Sequence, residues 1–432
     1  MNKSKAQAES HFDILIVGGG MVGATLACLI AENTALKIAV VEAAPLLTET
    51  QTVRPFSPSY DSRSTALARG TIQIFEQLGL WDQISQRAEP IHKIHVSELG
   101  QFGFTRIDRE QEGVSELGCV VENAWLGQVL CRRLLKYPSI QLFSPASLQS
   151  LQWNGDQAHW NAELGIAAAQ PKSVDGQSIQ SIKSKKSISA TLLVAADGVN
   201  STCCRLLNIE HQVESYQQAA IVANITPLRG HEQIAYERFT PDGPMALLPL
   251  TGNRMALVLT VKETELDQIL QLSDEAFLKL VDDRIGGRLK GFSQVGQRAH
   301  YPLRLVRVCE QVRPQCVVVG NAAHSLHPIA GQGFNLSARD VAMLAYKIQQ
   351  ASDKNESIAS VSLLNDYVES RQLDQHATIQ FSDKLMKVFG STLPGLPLAR
   401  NLAMLGMDLW PQGKQLLTRQ AMGLSAGLPF RE

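Results

Sequence analysis

The first forty residues switch between two hydrophobic patterns. Asp13 to Val17 is a short, nearly unbroken apolar run, as expected of a strand buried on both faces. It runs into Gly18-Gly19-Gly20-Met21-Val22-Gly23, and Ala24 to Ala31 continues in strong helix formers. Lys37 to Val41 is a second buried strand, ending at Glu42. This order predicts a strand–turn–helix–strand unit of a parallel sheet. Two later strands also run into polar turns. Leu192 to Ala196 leads to Asp197-Gly198-Val199-Asn200-Ser201, where Asn200 or Ser201 is placed to cap a following helix. Val317 to Val319 leads to Gly320-Asn321-Ala322-Ala323-His324, and helices are expected at Ala124 to Leu135 and Ser337 to Gln349.

Between these landmarks the pattern alternates. Residues 84–122 and 206–305 hold short segments such as Gln217 to Ile225 and Met255 to Val261, divided by Gly and Pro turns. They predict an antiparallel sheet in a second domain. Ala168 to Ser187 is rich in Ser, Gln and Lys and reads as a hairpin insertion, with Lys183, Lys185 and Lys186 on a solvated loop. From Val341 onward the pattern is helical, broken at Pro394, Pro397 and Pro411. The expected division is a discontinuous nucleotide-binding domain (1–83, 123–205 and 306–350), a substrate domain (84–122 and 206–305) and a C-terminal helical region (351–432).

Composition narrows the function classes. The chain of 432 residues is 44% hydrophobic and 19% charged, which excludes wholesale disorder. Forty basic against 41 acidic residues leave no global attraction to nucleic acid. Seven cysteines form no C-x-x-C pair, which fits a reducing compartment. The first ten residues are polar, unlike a signal peptide, and no run approaches the 18 apolar residues of a membrane span. A cytoplasmic protein without metal is expected, touching the inner membrane only from outside.

Gly18, Gly20 and Gly23 have the G-x-G-x-x-G spacing, and Glu42 follows Gly18 by 24 positions. Gly18 permits the tight turn, Gly20 lets backbone N–H groups approach a pyrophosphate, and Gly23 lets helix and strand pack closely. A carboxylate at Glu42 reaches a ribose hydroxyl and repels a 2′-phosphate, so the tightly held dinucleotide is FAD or NAD. The last turn continues as Ser325-Leu326-His327-Pro328-Ile329-Ala330-Gly331-Gln332-Gly333-Phe334-Asn335-Leu336. Met245, Leu247, Leu248 and Leu250 are candidates either for an apolar substrate cavity or for the core.

Together with Tyr60-Asp61-Ser62-Arg63-Ser64-Thr65-Ala66-Leu67 and Glu237-Arg238-Phe239-Thr240, these segments resemble the class A flavoprotein aromatic hydroxylases. That family has the para-hydroxybenzoate hydroxylase fold. The likeness covers about residues 12–425, excluding the Ala168 to Ser187 insertion, and lies nearest the ubiquinone-biosynthesis branch that includes 2-octaprenyl-6-methoxyphenol hydroxylases. Asn321, where most of the wider family has Asp, is similar to that branch.

The resemblance implies an α/β fold, with a Rossmann-type FAD domain interleaved with an antiparallel-sheet substrate domain and a C-terminal helical segment. It implies non-covalent FAD, NAD(P)H as a transient donor, O2, and a polyprenylated phenol hydroxylated through a flavin C4a-hydroperoxide. Cofactor contacts would come from Gly18, Gly20, Gly23, Glu42, Arg63, Gln128, Asp197, Gly198, Asn321, Gly331, Gln332, Gly333 and Asn335. Pro328 would line the reacting face. His327 is the candidate general base, against the alternative of a structural histidine. An apolar tail, Phe381 to Pro429, is either a cap on the FAD domain or a surface for the membrane or a ubiquinone-biosynthesis complex, with Lys384, Lys387 and Arg400 facing headgroups. Rival readings on this fold are an epoxidase, a reductase, or a non-catalytic FAD-holding subunit.

Overall fold

A computed structural model describes residues 10–46, 63–167, 172–174, 177–179, 182–390, 396–410, 413–415, 418–419 and 422–424. Tyr60-Asp61-Ser62, the start of the polar N-terminus, Pro394, Pro411 and residues 168–171, 175–176 and 180–181 of the expected insertion lie outside these residues.

The unbroken apolar runs become a parallel sheet. Its strands lie in the order Cys316–Val318, Ile182–Ala195, Ser10–Val17, Ile38–Val41 and Ile140–Phe143. Ile14 pairs with Ile38 on one side and Leu192 on the other. Alternate residues then face two cores. Ile14, Ile16, Ile38, Leu192 and Val194 pack beneath the helices Met21–Asn33, Asn123–Leu134 and Gln332–Asp353. Leu15, Val17, Ala39, Leu193 and Ala195 pack on the opposite side with Trp160, Leu164, Cys203 and Cys204. Both faces are therefore dry, which is why these strands lack polar alternation.

The strand expected from Leu192 starts ten residues earlier, at Ile182, because its first half pairs antiparallel with His159–Ala167. Lys183, Lys185 and Lys186 are thus on a strand and not on a loop, and Lys185 forms an ion pair with Glu163 at 2.5 Å.

The alternating segments form a second, nine-stranded sheet. In order it holds His324–Ser325, Ala299–Val308, His211–Pro227, Arg254–Lys262, Gly243–Leu250, Ile234–Thr240, Lys93–Glu98 and Phe104–Asp108, with Phe292–Val295 beside His211–Pro227. Only Ile234–Thr240 and Lys93–Glu98 run parallel. The helices Leu266–Leu270 and Asp274–Ile285 close one face around Met245, Leu247, Leu257 and Phe277. Met245 and Leu247 are therefore core and line no cavity; Leu250 is also buried, while Leu248 stays half-exposed. A three-stranded sheet, Ser64–Ala68, Gly118–Glu122 and Ala88–Ile91, joins the two large ones, with a buried Arg254–Glu122 ion pair at 2.8 Å across the junction.

The C-terminal helix Val361–Gly390 packs along Gln332–Asp353 through buried charges. Asp340 accepts from Arg371 at 2.7 Å, His324 at 2.8 Å and Gln375 at 3.1 Å, and Asp374 pairs with Arg339 at 2.8 Å. Burial alone would raise the Asp340 carboxyl, but His324 and Arg371 outweigh it and hold it below the usual range. Leu396–Leu409 then lies on Phe104–Asp108, where Asn401 accepts from the Gly103 N–H at 2.7 Å. Arg400, expected to face lipid headgroups, is buried and paired with Glu98. An arginine beside a buried carboxylate has more to gain from the pair than from water. Lys387 is engaged with Asp383 and Glu214.

Candidate functional site

Four turns from distant parts of the chain meet at the carboxyl end of the parallel sheet. Gly18, at φ +104°, lies so close to the second turn that a Cβ would come within 2.3 Å of the Ala196 carbonyl oxygen. A Cβ on Gly23 would come within 1.9 Å of the Gly18 oxygen, so helix and turn touch as the spacing predicts. Gly320 rests on Val22 of the first helix, and Gly331 rests on Ala66 of the strand that follows Arg63. Arg63 is exposed at that strand's start; Gln128 is half-buried on Asn123–Leu134, beside the first helix.

Other glycines of the same turns face open space. A Cβ on Gly20, Gly198 or Gly333 would meet nothing within 4 Å. The helices that begin beside two of them, Met21–Asn33 and Gln332–Asp353, start at Gly20 and Gly331 without any side-chain cap. Their first N–H groups and the positive ends of their dipoles remain available to an anion or an electron-rich ring edge. Gln332 itself is 4% exposed, whereas Asn321 is exposed at the third turn. The residues present therefore fit a dinucleotide: closely packed glycines shape the cradle, and open ones leave room for it.

The polar residues divide between holding this cradle and facing it. The Glu42 carboxylate accepts from the Gly19 N–H at 2.7 Å and the Ala44 N–H at 2.8 Å, which fixes the first turn and leaves lone pairs for a hydroxyl. Asp197 turns onto the next helix, accepting from Ser201 Oγ at 2.5 Å and the Thr202 N–H at 2.7 Å. Ser201 caps the Cys204 N–H at 3.0 Å, as expected, and Asp197 is a second cap that the spacing did not announce.

Asn335 differs from expectation. Its oxygen accepts from the Ala68 N–H and Thr71 Oγ1, and its amide donates to the Ala66 and Gly331 carbonyls, at 2.7–2.8 Å throughout. With both donors and both acceptor positions used, it positions the glycine turn and has nothing left for a cofactor.

His327 also differs. It is 1% exposed, and Nδ1 accepts from the Ile329 N–H at 3.3 Å. The proton therefore sits on Nε2, a buried donor without a partner among the described residues. Burial pushes the imidazole down to about 3, so the ring stays neutral and offers an N–H where a base would need a lone pair. Pro328, half-buried, immediately precedes the tight turn Ile329–Gly331.

Across from this segment stands the open face of the nine-stranded sheet. Phe239 packs with Ile329 and Met386, and stacks on Phe389 with ring centroids 3.5 Å apart. Beside it Glu237, Ala246, Leu248 and Val258 are only half-buried, although their strands are interior. The sequence names Glu237 only within the segment Glu237-Arg238-Phe239-Thr240 and gives it no catalytic or binding role. The available signal was its parity: it alternates in phase with Ala235 and Phe239, at an apolar position.

Residues 11–382 match the FAD binding domain family. Ubiquinone hydroxylase UbiL of Rhodospirillum rubrum is 32% identical over 96% of this chain and 90% of its own length. The 3-demethoxyubiquinol 3-hydroxylase of Escherichia coli is 28% identical, covering 96% and 98%. Among solved structures, p-nitrophenol 4-monooxygenase PnpA of Pseudomonas putida superposes with a TM-score of 0.74 at 15% identity, covering 96% of this chain and 99% of its own. PqsL of Pseudomonas aeruginosa, a probable FAD-dependent monooxygenase, gives 0.72 at 18% identity, covering 91% and 100%. The expected para-hydroxybenzoate hydroxylase-like fold is thereby established.

Proposed function

The chain belongs to the FAD binding domain family and is a flavin-dependent monooxygenase; from that premise we propose that it hydroxylates a polyprenylated phenol in ubiquinone biosynthesis, with 2-octaprenyl-6-methoxyphenol as the type of substrate. The observation that carries this reading is the apposition of two surfaces. The glycine cradle carries two uncapped helix N-termini, and the turn after Pro328 packs through Ile329 on Phe239 of the half-open sheet face.

FAD, when bound, supplies the chemistry of activating O2 with electrons from NAD(P)H. The chain's own residues do the rest. Gly18, Gly20 and Gly23 would seat the pyrophosphate on the first helix, with Glu42 at the ribose and Arg63 and Gln128 alongside. Asp197 would hold the second turn in shape so that Gly198 admits the cofactor closely. Gly331, Gln332 and Gly333 would direct the uncapped helix at the flavin ring, where its dipole favours negative charge. Asn321 would serve a ribityl hydroxyl, and Pro328 would wall the reacting face against water. Asn335 acts by fixing this turn and is not a ligand.

No described helix is long and apolar enough to cross a membrane. Peripheral contact with a lipid surface is part of the proposal, because a prenylated phenol partitions into the bilayer. Leu398 and Leu402 lie one turn apart on the exposed side of Leu396–Leu409, 58% and 57% exposed, with Trp410 at 59% just beyond.

The test is NAD(P)H oxidation by the FAD-loaded protein with and without 2-prenylphenol. Stimulation with formation of a dihydroxylated ring supports the reading. Oxidation that ignores the phenol, or none, rejects it.

A further inference from the structure

One half-buried carboxyl in the nine-stranded sheet is explained neither by packing nor by pairing. Glu237 lies on Ile234–Thr240 on the face turned away from the helices Leu266–Leu270 and Asp274–Ile285. Its register neighbours across the sheet are Val96 on one side, then Ala246, Val258 and Val222 on the other. All are apolar. Val96, Ala246 and Val258 keep partial exposure like Glu237, whereas Met245 and Leu247 on the reverse face have none. Accessible surface in mid-sheet, on a face covered by other chain segments, marks an internal hollow. Phe239, two residues on and on the same face, packs on Ile329, the neighbour of Pro328. The hollow therefore opens toward the segment that would carry the reacting face.

The Glu237 carboxyl makes no hydrogen bond and no ion pair among the described residues. An acid left so in apolar surroundings costs stability unless something else meets it. Resting on the reading that a phenol occupies this face, we propose that Glu237 is a catalytic residue that accepts the phenolic proton. The phenol O–H bond breaks, its electron pair remains on the phenol oxygen, and the proton goes to a Glu237 carboxylate oxygen. The proton passes to solvent when the product leaves. The phenolate is the more nucleophilic ring, as electrophilic oxygen transfer requires.

Burial pushes this carboxyl up to about 8, toward the range of a phenol and away from an ordinary acid. Other titratable groups around it are occupied or face elsewhere. Glu98 shares its face and is closed by Arg400; Lys93 pairs with Asp108. His95, Arg238 and Arg284 belong to the reverse side. From the covering elements come neutral His327 and Asp383, which holds Lys387 and accepts from Tyr216 of the sheet strand His211–Pro227. Tyr301 lies on the same face, its phenol raised by burial to about 12. Burial is the sole cause of the Glu237 shift.

The test compares wild type, Glu237→Gln and Glu237→Asp, each FAD-loaded, on 2-prenylphenol from neutral to mildly alkaline pH. In wild type kcat/KM rises through a limb near 8 as the carboxylate forms. Glu237→Gln loses the limb and about 10²–10⁴-fold in kcat/KM, the usual contribution of a general base; Glu237→Asp restores part of both. FAD content and Tm are not lowered in Glu237→Gln, because no bond within the protein is removed. A Gln variant that keeps rate and limb, or that sheds FAD or unfolds, overturns the proposal. A wild type unresponsive to phenol instead overturns the functional reading on which it rests, and that outcome is visible before any variant is made.

Discussion

The two faces of the nine-stranded sheet use the same strands in opposite ways. On the closed face Met245, Leu247, Leu257 and Leu259 interlock with Phe277, Val281 and Ile285. On the open face the same strands present Glu237, Ala246, Leu248 and Val258, half-buried and opposite the Pro328 segment. Strand alternation makes the division: each strand gives every second residue to stability and the others to the site. A one-residue slip would exchange the two roles, so the core also fixes the register of the site.

The largest effect should follow from denying the open face its cofactor. Gly20 faces open space, so Gly20→Val leaves the fold intact while its branched side chain fills the pyrophosphate position. We expect near-complete loss of bound FAD, read by absorbance after purification, with the closed face unchanged in the apo-protein melting curve. A variant with full flavin would break the link between cradle and open face.

Next is a matched pair of neighbours. Leu247→Ala should cost about 2–5 kcal/mol in denaturant unfolding, as core truncations do, and leave KM for 2-prenylphenol nearly unchanged. Ala246→Leu should alter stability by less than about 1 kcal/mol but raise that KM on the order of tenfold by filling the hollow. Reversed outcomes would mean the faces are wrongly assigned.

A smaller effect concerns pH and stability. Glu237 holds its proton to about 8 in the folded chain, whereas the unfolded chain releases it at about 4.3. Between those values the folded state binds more protons, so this residue makes stability fall as pH rises. Glu237→Gln should flatten that part of the Tm-against-pH curve, measured without substrate. Equal slopes in the two proteins would place the carboxyl in water.

The smallest effect is at the rim. Leu398→Ser with Leu402→Ser should abolish liposome co-sedimentation while changing stability by less than about 0.5 kcal/mol per site. Point changes are needed here, since removing the tail would also remove the Arg400–Glu98 pair and the Asn401 bond to Gly103.

The parallel sheet and its turns were legible because their signals are local. Gly18 and Gly23 report a backbone conformation and a close approach, and buried strands announce themselves as apolar runs. The start of Ile182–Ala195 was not legible, because pairing with His159–Ala167, and not composition, extends it. The positioning role of Asn335 is not legible, because nothing near it in sequence shows that its partners are Ala66, Ala68 and Thr71. The burial of Arg400 is hidden for the same reason, its partner Glu98 lying about 300 residues away. The Glu237 motif is visible, but its role depends on a hollow formed by four strands and a distant turn.

The most direct test of the central claim is product analysis under isotopically labelled dioxygen. The FAD-loaded protein, NAD(P)H and 2-prenylphenol should yield a ring carrying one added labelled oxygen, with none from water. A product without that label, or NAD(P)H consumed with peroxide as the only oxygen product, would contradict the assignment of this fold and face to aromatic hydroxylation.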